Sequence, residues 1–596
     1  MFDFSTMESL LGSFDEKRLR SIFEPVIVGV PPADAGTNLC VLQDGEIRVY
    51  GAEGKKRDFP GNRIYLSSRD CGLSWKVFPE SPYALGKSVK SPYSGRYLAV
   101  VHTKPGNWPA NAPNGSEIQA VMSDGGPPST ELTWRDIPGE RYGDIRTPVP
   151  LRTRKRWIVP AQGQTNSNGD ISNQPILLIS DDDGDTWHTV RLKPAPRHEI
   201  VFPHKGYRWQ NGSCEPTLVE LTNGTLLLIA RTSQDYHYQY FSYDGGNTWT
   251  DPEPSSFHGT LTMPTLCRMS NGRIVFLWCN TQPLPELRHE DQWPQLEPWE
   301  VSGERGEDVF TNRDANHAAI SDDDGKTWAG FREIWLNPIR NDADFRTKGS
   351  SDDSLDKSVH QIGALELPFG KLLLEFGQHP SSRKLAIFDP DWLYEKSREE
   401  DFRHGMGNLS THVYLKSVSG NFRGFSGHCA WNRTNGAILA PDPDGNFEEA
   451  LLISRVSDKR LFSEVQGAVW NFPAAHNGEI TIRLRIEGEG IRLSLTDRWF
   501  NPIDVTIKDF ARFTFTVDKK NLPAGEWVDI KIAWKGNSAE VIWNDKIIGE
   551  TLSQAESAHG MSYLHMQSLA EEADLGTLIK KLKMESIPAI PYTRRG

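Results

Sequence analysis

Apolar residues occur in short runs along the chain, and each run ends at a signal for a tight turn. Residues 215–231 place two such runs on either side of an Asn-Gly pair. Asn-Gly favours a two-residue hairpin because both positions tolerate a positive φ. The pattern therefore predicts a hairpin of two β-strands at this point. The same phrase of strand, turn and strand recurs at residues 37–50, 264–278 and 361–376.

The last third of the chain shows a different regularity, in which apolar and polar residues alternate with a period of two. This alternation predicts strands with one buried and one exposed face. It also indicates a second all-β region, separate from the repeated hairpins. The alternating segments are residues 479–486, 491–495, 513–517, 527–534 and 539–543.

An octapeptide of the form S-x-D-x-G-x-[ST]-W recurs in the first part of the chain. Its Asp is expected to accept hydrogen bonds from local N–H groups, its Gly to adopt a positive φ, and its Trp to begin the returning strand. Successive Asp residues lie 54, 58, 62 and 79 positions apart when a stretched copy at 123–134 is included. Such spacing is typical of propeller blades. The full copies are residues 68–75, 180–187, 242–249 and 321–328.

These octapeptides, known as Asp-boxes, are the mark of the sialidase superfamily, and residues 24–395 resemble its six-bladed β-propeller. The phrases at 525–532 and 540–545 are similar to those of laminin-G and concanavalin-like sandwiches. The predicted fold is thus all-β, a six-bladed β-propeller followed by a β-sandwich. The predicted boundaries are an N-terminal helical extension at 1–23, the propeller at 24–395, a linker at 396–410 and the sandwich at 411–596.

Composition limits the classes of partner. The chain has 596 residues, 66 Lys and Arg and 79 Asp and Glu, so its net charge is 66 − 79 = −13. This balance disfavours a nucleic-acid partner but permits a local basic pocket for an acidic sugar. No segment predicts a membrane span, and a glycan is the expected partner, with the oligomeric state left open. The N-terminus lacks an export signal, which predicts a cytoplasmic protein, or a secreted or periplasmic one whose leader has been removed.

The sequence predicts neither a metal site nor a cofactor. Its six cysteines are scattered without a CxxC pair, so reduced thiols are expected. Walker, Rossmann and nucleophile-elbow signatures do not occur.

The resemblance implies roles for three residues of the propeller. Glu215 and Arg231 stand at the two ends of one inner hairpin, where the superfamily has a supporting base and an arginine that binds the substrate carboxylate. Arg313, eight residues ahead of the last octapeptide, corresponds to another arginine of that clamp. A guanidinium group suits this task because it offers a planar fork to a carboxylate.

Two departures from the superfamily pattern bear on mechanism. The first inner strand reads Ile-Phe-Glu-Pro at 22–25 where the superfamily has Arg-Ile-Pro, so one clamp arginine is missing. His360-Gln361 occupies the place of the expected Tyr-Ser, which removes the tyrosine nucleophile. We therefore predict histidine acid–base chemistry at His360, since imidazole titrates near neutral pH.

Four further residues complete the predicted site. His102 ends a strand of the second blade, and Asp58 is the nearest match to the superfamily's acid–base aspartate. Arg146 and Arg346 lie in comparable positions between blades and are candidates for a substitute carboxylate grip.

The leading hypothesis is a glycoside hydrolase, a sialidase-like exo-glycosidase that releases a terminal sugar, one that bears a carboxylate, without the tyrosine nucleophile. One alternative is a polysaccharide lyase on uronic-acid glycans, in which arginines neutralise the carboxylate and a base removes the adjacent proton. Another is a glycan-binding protein without catalysis.

Overall fold

The structure is a computed structural model. It describes residues 15–32, 39–52, 63–79, 87–102, 118–124, 131–139, 142–167, 170–199, 212–283, 313–337, 358–377, 382–418, 431–445, 447–461, 463–553 and 557–587.

The octapeptides fold as turns that are held by their own side chains. In the third full copy, Asp244 accepts hydrogen bonds from Ser242 Oγ at 2.9 Å and from the backbone N–H and hydroxyl of Thr248 at 3.0 and 2.7 Å. Trp249 then donates from Nε1 to the carbonyl of Gly246 at 3.1 Å. The corresponding Asp residues of the other three copies accept in the same way from Ser74, Thr186 and Thr327. The local physics predicted from the repeat is confirmed.

The described residues before position 395 form six antiparallel sheets of four strands, which are the six predicted blades. The strands are β1 (Val26–Gly29), which belongs to blade 6; β2 (Leu39–Val41), β3 (Ile47–Ala52), β4 (Arg63–Ser68) and β5 (Lys76–Pro79) in blade 1; β6 (Val89–Lys90), β7 (Tyr97–His102), β8 (Ile118–Ser123) and β9 (Leu132–Asp136) in blade 2; β10 (Val149–Pro150), β11 (Trp157–Ser167), β12 (Asp170–Ser180) and β13 (His188–Arg191) in blade 3; β14 (Cys214–Glu220), β15 (Leu226–Arg231), β16 (Tyr236–Ser242) and β17 (Glu253–His258) in blade 4; β18 (Thr265–Arg268), β19 (Ile274–Trp278), β20 (Ala315–Ser321) and β21 (Ala329–Leu336) in blade 5; and β22 (Gly363–Glu366), β23 (Leu372–Phe376) and β24 (Lys384–Phe388) in blade 6.

The ring of blades closes through the N-terminal part of the chain. Strand β1 pairs antiparallel with β24, with Val26 opposite Ile387, and so supplies the fourth strand of blade 6. The helix α1 (Glu16–Ser21) precedes it and buries Leu19 between blades 1 and 6. Lys371 of blade 6 donates to the carbonyl of Ile22 at 2.6 Å, which ties the helix end to the ring.

The order of strands in a blade defines two faces of the propeller. Neighbouring strands run antiparallel. In each blade the first and third strands therefore begin at one face of the propeller, and the second and fourth strands end at that same face. We call this the start face. The octapeptide turns join third to fourth strands and therefore lie on the opposite face. First strands line a central channel of about 380 Å³.

The rest of the chain forms two large sheets that pack around one core. Apolar residues alternate inward along the strands, as Ile480, Ile482 and Leu484 do in one sheet and Leu493 and Leu564 in the other. One sheet has the order β29-β30-β39-β32-β35-β36-β37, with β25 paired to β39, and the other has the order β26-β31-β38-β33-β34. The predicted β-sandwich fold is confirmed. Its elements are β25 (Ser397–Glu400), β26 (Leu409–Ser410), β27 (Val413–Val418), β28 (Trp431–Thr434), β29 (Ile438–Pro441), β30 (Glu449–Ile453), β31 (Gly467–Ala475), β32 (Asn477–Ile486), β33 (Gly490–Thr496), α2 (Ile507–Phe510), β34 (Phe513–Asp518), β35 (Val528–Lys535), β36 (Ser538–Trp543), β37 (Lys546–Leu552), β38 (Met561–Ser568) and β39 (Thr577–Ser586).

One detail differs from the prediction. Residues 396–410 were expected to be a linker, but β25 and β26 lie within them and pair with β39 and β31 of the sandwich. Polar edge strands of two to four residues carry too little apolar pattern to be recognised in the sequence. The other domain boundaries stay predictions.

The two domains are joined by buried polar contacts. Trp499 of the sandwich donates from its backbone N–H to the carbonyl of Asn280 at 2.9 Å, and its carbonyl accepts from Gln282 at 2.8 Å. Tyr563 donates to Glu333 Oε1 at 2.7 Å. These contacts fix the sandwich against blade 5.

Cysteines of the described residues are free thiols, and none of the helices in that part of the chain is long and apolar enough to cross a membrane. Burial raises the pKa of four thiols to about 12, those of Cys40, Cys71, Cys267 and Cys279.

We predict that Asp244→Ala lowers the free energy of unfolding by about 1–3 kcal/mol, because the substitution leaves the donors of its turn without their acceptor. Urea denaturation measures the change. Asp251→Ala is the control, since Asp251 makes only an exposed ion pair with Lys193, and it should change stability by less than about 0.5 kcal/mol. Equal effects of the two substitutions would contradict the prediction.

Buried histidines make the fold sensitive to acid. Desolvation lowers the pKa of His237 and His317 to about 3 and that of His565 to about 4. An unfolded histidine titrates near 6.5, so the unfolded chain binds more protons than the native one below that pH. These groups therefore stabilise the fold above about pH 6.5, and this contribution is lost as the pH falls.

We predict that His565→Gln reduces the slope of stability against pH by about 1.4 kcal/mol per pH unit between about pH 6 and 4.5. The glutamine amide can still donate to the Asn501 carbonyl, which accepts from His565 Nε2 at 2.9 Å. Urea midpoints over this range measure the slope. His404→Gln, at an exposed position, should leave it unchanged, and an unchanged slope in the His565 variant would refute the assignment.

Candidate functional site

A buried ion pair stands at the start face of blade 4. Arg231, the last residue of β15, donates from Nη1 to Glu215 Oε2 at 2.8 Å. Arg231 is only 4% exposed. Burial by itself lowers the pKa of Arg231, but the Glu215 carboxylate and the Cys214 thiol outweigh it and raise the pKa overall. The two residues that the resemblance singled out therefore form one charged unit.

The backbone around Glu215 is held in an unusual conformation. Glu215 has a φ of 44°, and the pairing of β14 with β15 shifts register between Cys214 and Thr217. Gly212 approaches β12 so closely that a Cβ would lie 2.0 Å from the carbonyl oxygen of Asn173. Glu215 also donates its N–H to Gln162 Oε1 at 3.3 Å. Contacts with blade 3 thus set the position of its carboxylate.

A second buried pair joins blades 5 and 6. Arg313 lies two residues ahead of β20 and is 1% exposed, and its Nη1 lies 2.6 Å from His360 Nε2. A guanidinium group only donates, so Nε2 accepts and the imidazole proton is on Nδ1. Arg313 also donates to the carbonyl of Leu261. His360 is therefore a neutral base in direct contact with a cation.

A third buried arginine comes from blade 3. Arg146 Nη1 lies 3.5 Å from Asp144 Oδ2 and 2.8 Å from Met263 Sδ. The Asp144 carboxylate also helps to raise the pKa of Arg231, which places it between two arginines. Met263 is two residues after Leu261, the acceptor for Arg313. Arginines of blades 3, 4 and 5 are thus linked across the channel mouth through shared neighbours.

Five described residues with positive φ mark the points where the chain enters the first strands of blades 2 to 6. A left-handed conformation costs a residue with a Cβ about 1–2 kcal/mol. Such strain is concentrated at functional sites, where the surrounding structure enforces it. The recurrence in successive blades shows that the start face is built to a common plan. The residues and their φ values are Lys87 (62°), Asp144 (38°), Glu215 (44°), Leu261 (53°) and Gln361 (66°).

The sandwich reaches the same region. His412 Nε2 lies 3.2 Å from Asp314 Oδ2, and both residues are buried. Asp314 is adjacent in sequence to Arg313. A residue of the second domain therefore braces the segment that carries one of the three arginines.

The structure brings five of the eight predicted site residues together: Glu215, Arg231, Arg313, His360 and Arg146. Asp58 and Arg346 lie outside the described residues, and so does the side chain of His102, although its backbone ends β7 at the start face. Sequence reasoning missed Asp144, Gln162, Leu261 and Met263. A signal existed only for Asp144, which stands two residues before Arg146; the others act through backbone or packing contacts.

One donor of the cluster, on Arg231, has no partner among the described residues. Arg231 Nε is buried and makes no hydrogen bond within the described residues. An unsatisfied buried donor on a cation is costly unless a ligand or water completes it. The cluster is thus able to accept an anionic group, and the Glu215 carboxylate and the His360 imidazole beside it are able to exchange protons. In the described part of the chain, no group of His, Cys, Asp and Glu side chains is arranged to hold a metal ion.

All three arginines of the cluster lie in a segment of the chain that matches a known repeat family. Residues 141–338, which carry Arg146, Glu215, Arg231 and Arg313, match the family described as BNR repeat-like domain. This match supports the sialidase superfamily, which the octapeptides indicated. No curated protein matches the chain.

Solved structures similar to the chain include two sialidases. One is the Trypanosoma rangeli sialidase in complex with sialic acid, at 13% identity and a TM-score of 0.34, covering 96% of this chain and 92% of that one. Another is the NanB sialidase from Streptococcus pneumoniae, at 13% identity and a TM-score of 0.36, covering 64% of this chain and 73% of that one. These identities and TM-scores are too low to support a conclusion about the fold or the function of this chain.

We predict that Gln361→Gly raises the free energy of unfolding by about 1 kcal/mol, because glycine adopts a φ of 66° without the steric cost that a Cβ brings. Thermal and urea denaturation measure the effect. Gln361→Ala keeps the Cβ and is the matched control, and it should give no such gain. A gain in the alanine variant, or a loss in the glycine variant, would show that the backbone there is not strained.

Proposed function

We propose that this protein is a glycan-active enzyme of the sialidase superfamily that releases a terminal, carboxylate-bearing sugar without a tyrosine nucleophile. The observation that carries the proposal is the presence of three buried arginines at the start face of consecutive blades, with the Nε of Arg231 left without a partner among the described residues. A carboxylate is the ligand group that best completes such a cluster, because it accepts two parallel hydrogen bonds from a guanidinium fork.

Each residue of the cluster has a distinct part in this proposal. Arg231 and Arg313 bind the sugar carboxylate, and Arg146 adds positive charge from the neighbouring blade. Glu215 fixes Arg231 through Oε2, and its other oxygen accepts a proton from a water molecule. His360 exchanges a proton with the departing group through its imidazole, which suits this work near neutral pH.

A second candidate reaction is polysaccharide lysis on a uronic-acid glycan. The position of His360 beside Arg313 favours it, because an imidazole whose Nε2 turns from Arg313 to the substrate is next to the cation that binds the carboxylate and suits removal of the adjacent C–H proton. In that reaction the base takes the C–H proton, the C–O bond to the leaving sugar breaks while the protonated base returns a proton to the leaving oxygen, and a C=C bond forms in the other product. No water is consumed.

The test is incubation of the purified full-length protein with oligosaccharides that end in sialic, glucuronic or galacturonic acid. Hydrolysis is expected to release the free acidic sugar without new ultraviolet absorbance, whereas lysis produces the absorbance of a conjugated C=C bond. Intact glycan in every reaction, together with measurable binding, would overturn the enzyme proposal in favour of a binding protein.

We predict that Arg231→Lys lowers kcat/KM by at least about 100-fold, since lysine keeps the charge beside Glu215 but loses the planar fork. The conservative change is preferred because removal of the charge would leave Glu215 unpaired in a buried site, at about 3–5 kcal/mol of stability. Arg403→Lys, at an exposed position, is the control and should stay within about twofold of the unaltered protein. Full activity in the Arg231 variant would remove it from the site.

A further inference from the structure

A cavity of about 400 Å³ lies between the propeller and the sandwich, apart from the central channel. Its propeller wall comes from blades 4 and 5 and includes Tyr236, His258 and Asn280. Its other wall comes from the sandwich and includes Asp497 and Asn537. The size is within the range of pockets that bind small molecules.

The walls of this interdomain cavity are held in place by a polar network. Asp497 Oδ1 accepts from Arg498 Nη1 at 2.7 Å, and Arg498 Nε donates to Gln282 Oε1 at 2.9 Å. Asn280 donates from Nδ2 to the carbonyl of Asp497 at 2.9 Å. Because these bonds cross the domain interface, the cavity is formed before any ligand binds.

His258 is part of this polar network. Arg498 Nη1 lies 3.1 Å from His258 Nε2, and since arginine only donates, the imidazole proton is on Nδ1. Nδ1 is buried and has no hydrogen-bond partner among the described residues. His258 Nε2 also lies 3.6 Å from Asp497 Oδ2, so the imidazole is held by the same polar network that orients Asp497.

The remaining lining is that of a site for hydroxyl groups. Tyr236 is 38% exposed, and its ring stacks against His258 with the centroids 4.4 Å apart. Such a ring gives a flat apolar surface next to amide, hydroxyl and imidazole groups. Asp497 is paired with Arg498, and the wall also includes Arg512, which donates to the carbonyl of Gly536 at 3.1 Å and to Asn537 Oδ1 at 3.0 Å. A polyhydroxyl ring with one apolar face meets these conditions.

The cavity is close to the arginine cluster. His258 is three residues before Leu261, whose carbonyl accepts from Arg313. With about 3.8 Å between consecutive Cα atoms, the two residues are at most about 11 Å apart. A glycan that occupies the arginine cluster is therefore within reach of the cavity.

We propose that the interdomain cavity binds a neutral sugar unit of a glycan, as a second subsite beside the arginine cluster. The identity of the ligand as a sugar rests on the proposed function, whereas the cavity and its polar lining do not depend on that function. Two linked subsites would raise the affinity for the whole glycan above that for either unit, since the second contact is made at a high effective concentration.

The experiment is saturation-transfer NMR on the full-length protein with glucose, galactose, mannose and N-acetylglucosamine as separate probes. At least one probe is expected to bind at millimolar concentration. Tyr236→Ala and Ala558→Trp, which remove the ring and fill the cavity at an exposed lining position, should each weaken that binding at least tenfold. Tyr243→Ala, which alters a tyrosine that is 76% exposed on an octapeptide turn, should not.

Arg231→Lys separates this proposal from the proposed function, because it should lower kcat/KM at least about 100-fold and leave binding of the neutral probe unchanged. If no glycan is cleaved but the probe still binds and depends on Tyr236, the subsite stands and the enzyme proposal falls. Absence of binding for all four probes, or binding that survives both cavity variants, overturns the subsite. Thermal midpoints confirm that each variant is folded.

Discussion

Closure of the ring by the N-terminal strand is the constraint on which the rest of the structure depends. Strand β1 pairs with β24, so the two ends of the propeller meet in one sheet. The entropy lost in closing a long loop grows only logarithmically with its length, so a distant pairing of this kind is affordable when it buries apolar surface. Leu19, Leu385 and Ile387 supply that surface in one cluster. Once the ring is closed, every blade presents its strand starts to the same channel mouth.

The closed ring explains why residues far apart in the sequence meet. Arg146, Arg231 and Arg313 belong to consecutive blades, and each lies where a first or third strand begins or a second strand ends. Their burial is unfavourable for solvation, and each has therefore found a partner: Asp144, Glu215 and His360. The partners do not use every donor, as Arg231 Nε shows. A set of cations that is buried but incompletely satisfied costs the fold stability. A function that needs anion binding gives a physical reason to keep it.

The fold was predictable from the sequence because a repeated octapeptide specifies the same turn, through local hydrogen bonds, in several blades. Each octapeptide closes its own turn with its own side chains, so one copy such as 242–249 is enough to place a hairpin and four are enough to indicate blades. The pairing of Glu215 with Arg231 was also accessible, since the two residues flank one hairpin. The contacts of Gln162, Leu261 and Met263 could not be predicted from the sequence. They depend on the angle between neighbouring blades and on backbone carbonyls, and neither leaves a pattern in residue types. Edge strands such as β25 were missed for a related reason, as their order comes from a partner strand nearly 200 residues away.

The second domain changes how the site is best understood. A stabilising appendage would contact the propeller through apolar surface away from the channel. Here several contacts are polar, buried and directed at the start face: His412 lies against Asp314 beside Arg313, and Trp499 bonds to both Asn280 and Gln282. Buried polar contacts specify a geometry more strictly than apolar ones, because each displaced donor or acceptor loses its partner. The sandwich therefore holds the segment of blade 5 that carries Arg313 in position. The cavity beside Tyr236 is the space left where the sandwich and the propeller do not pack completely against each other.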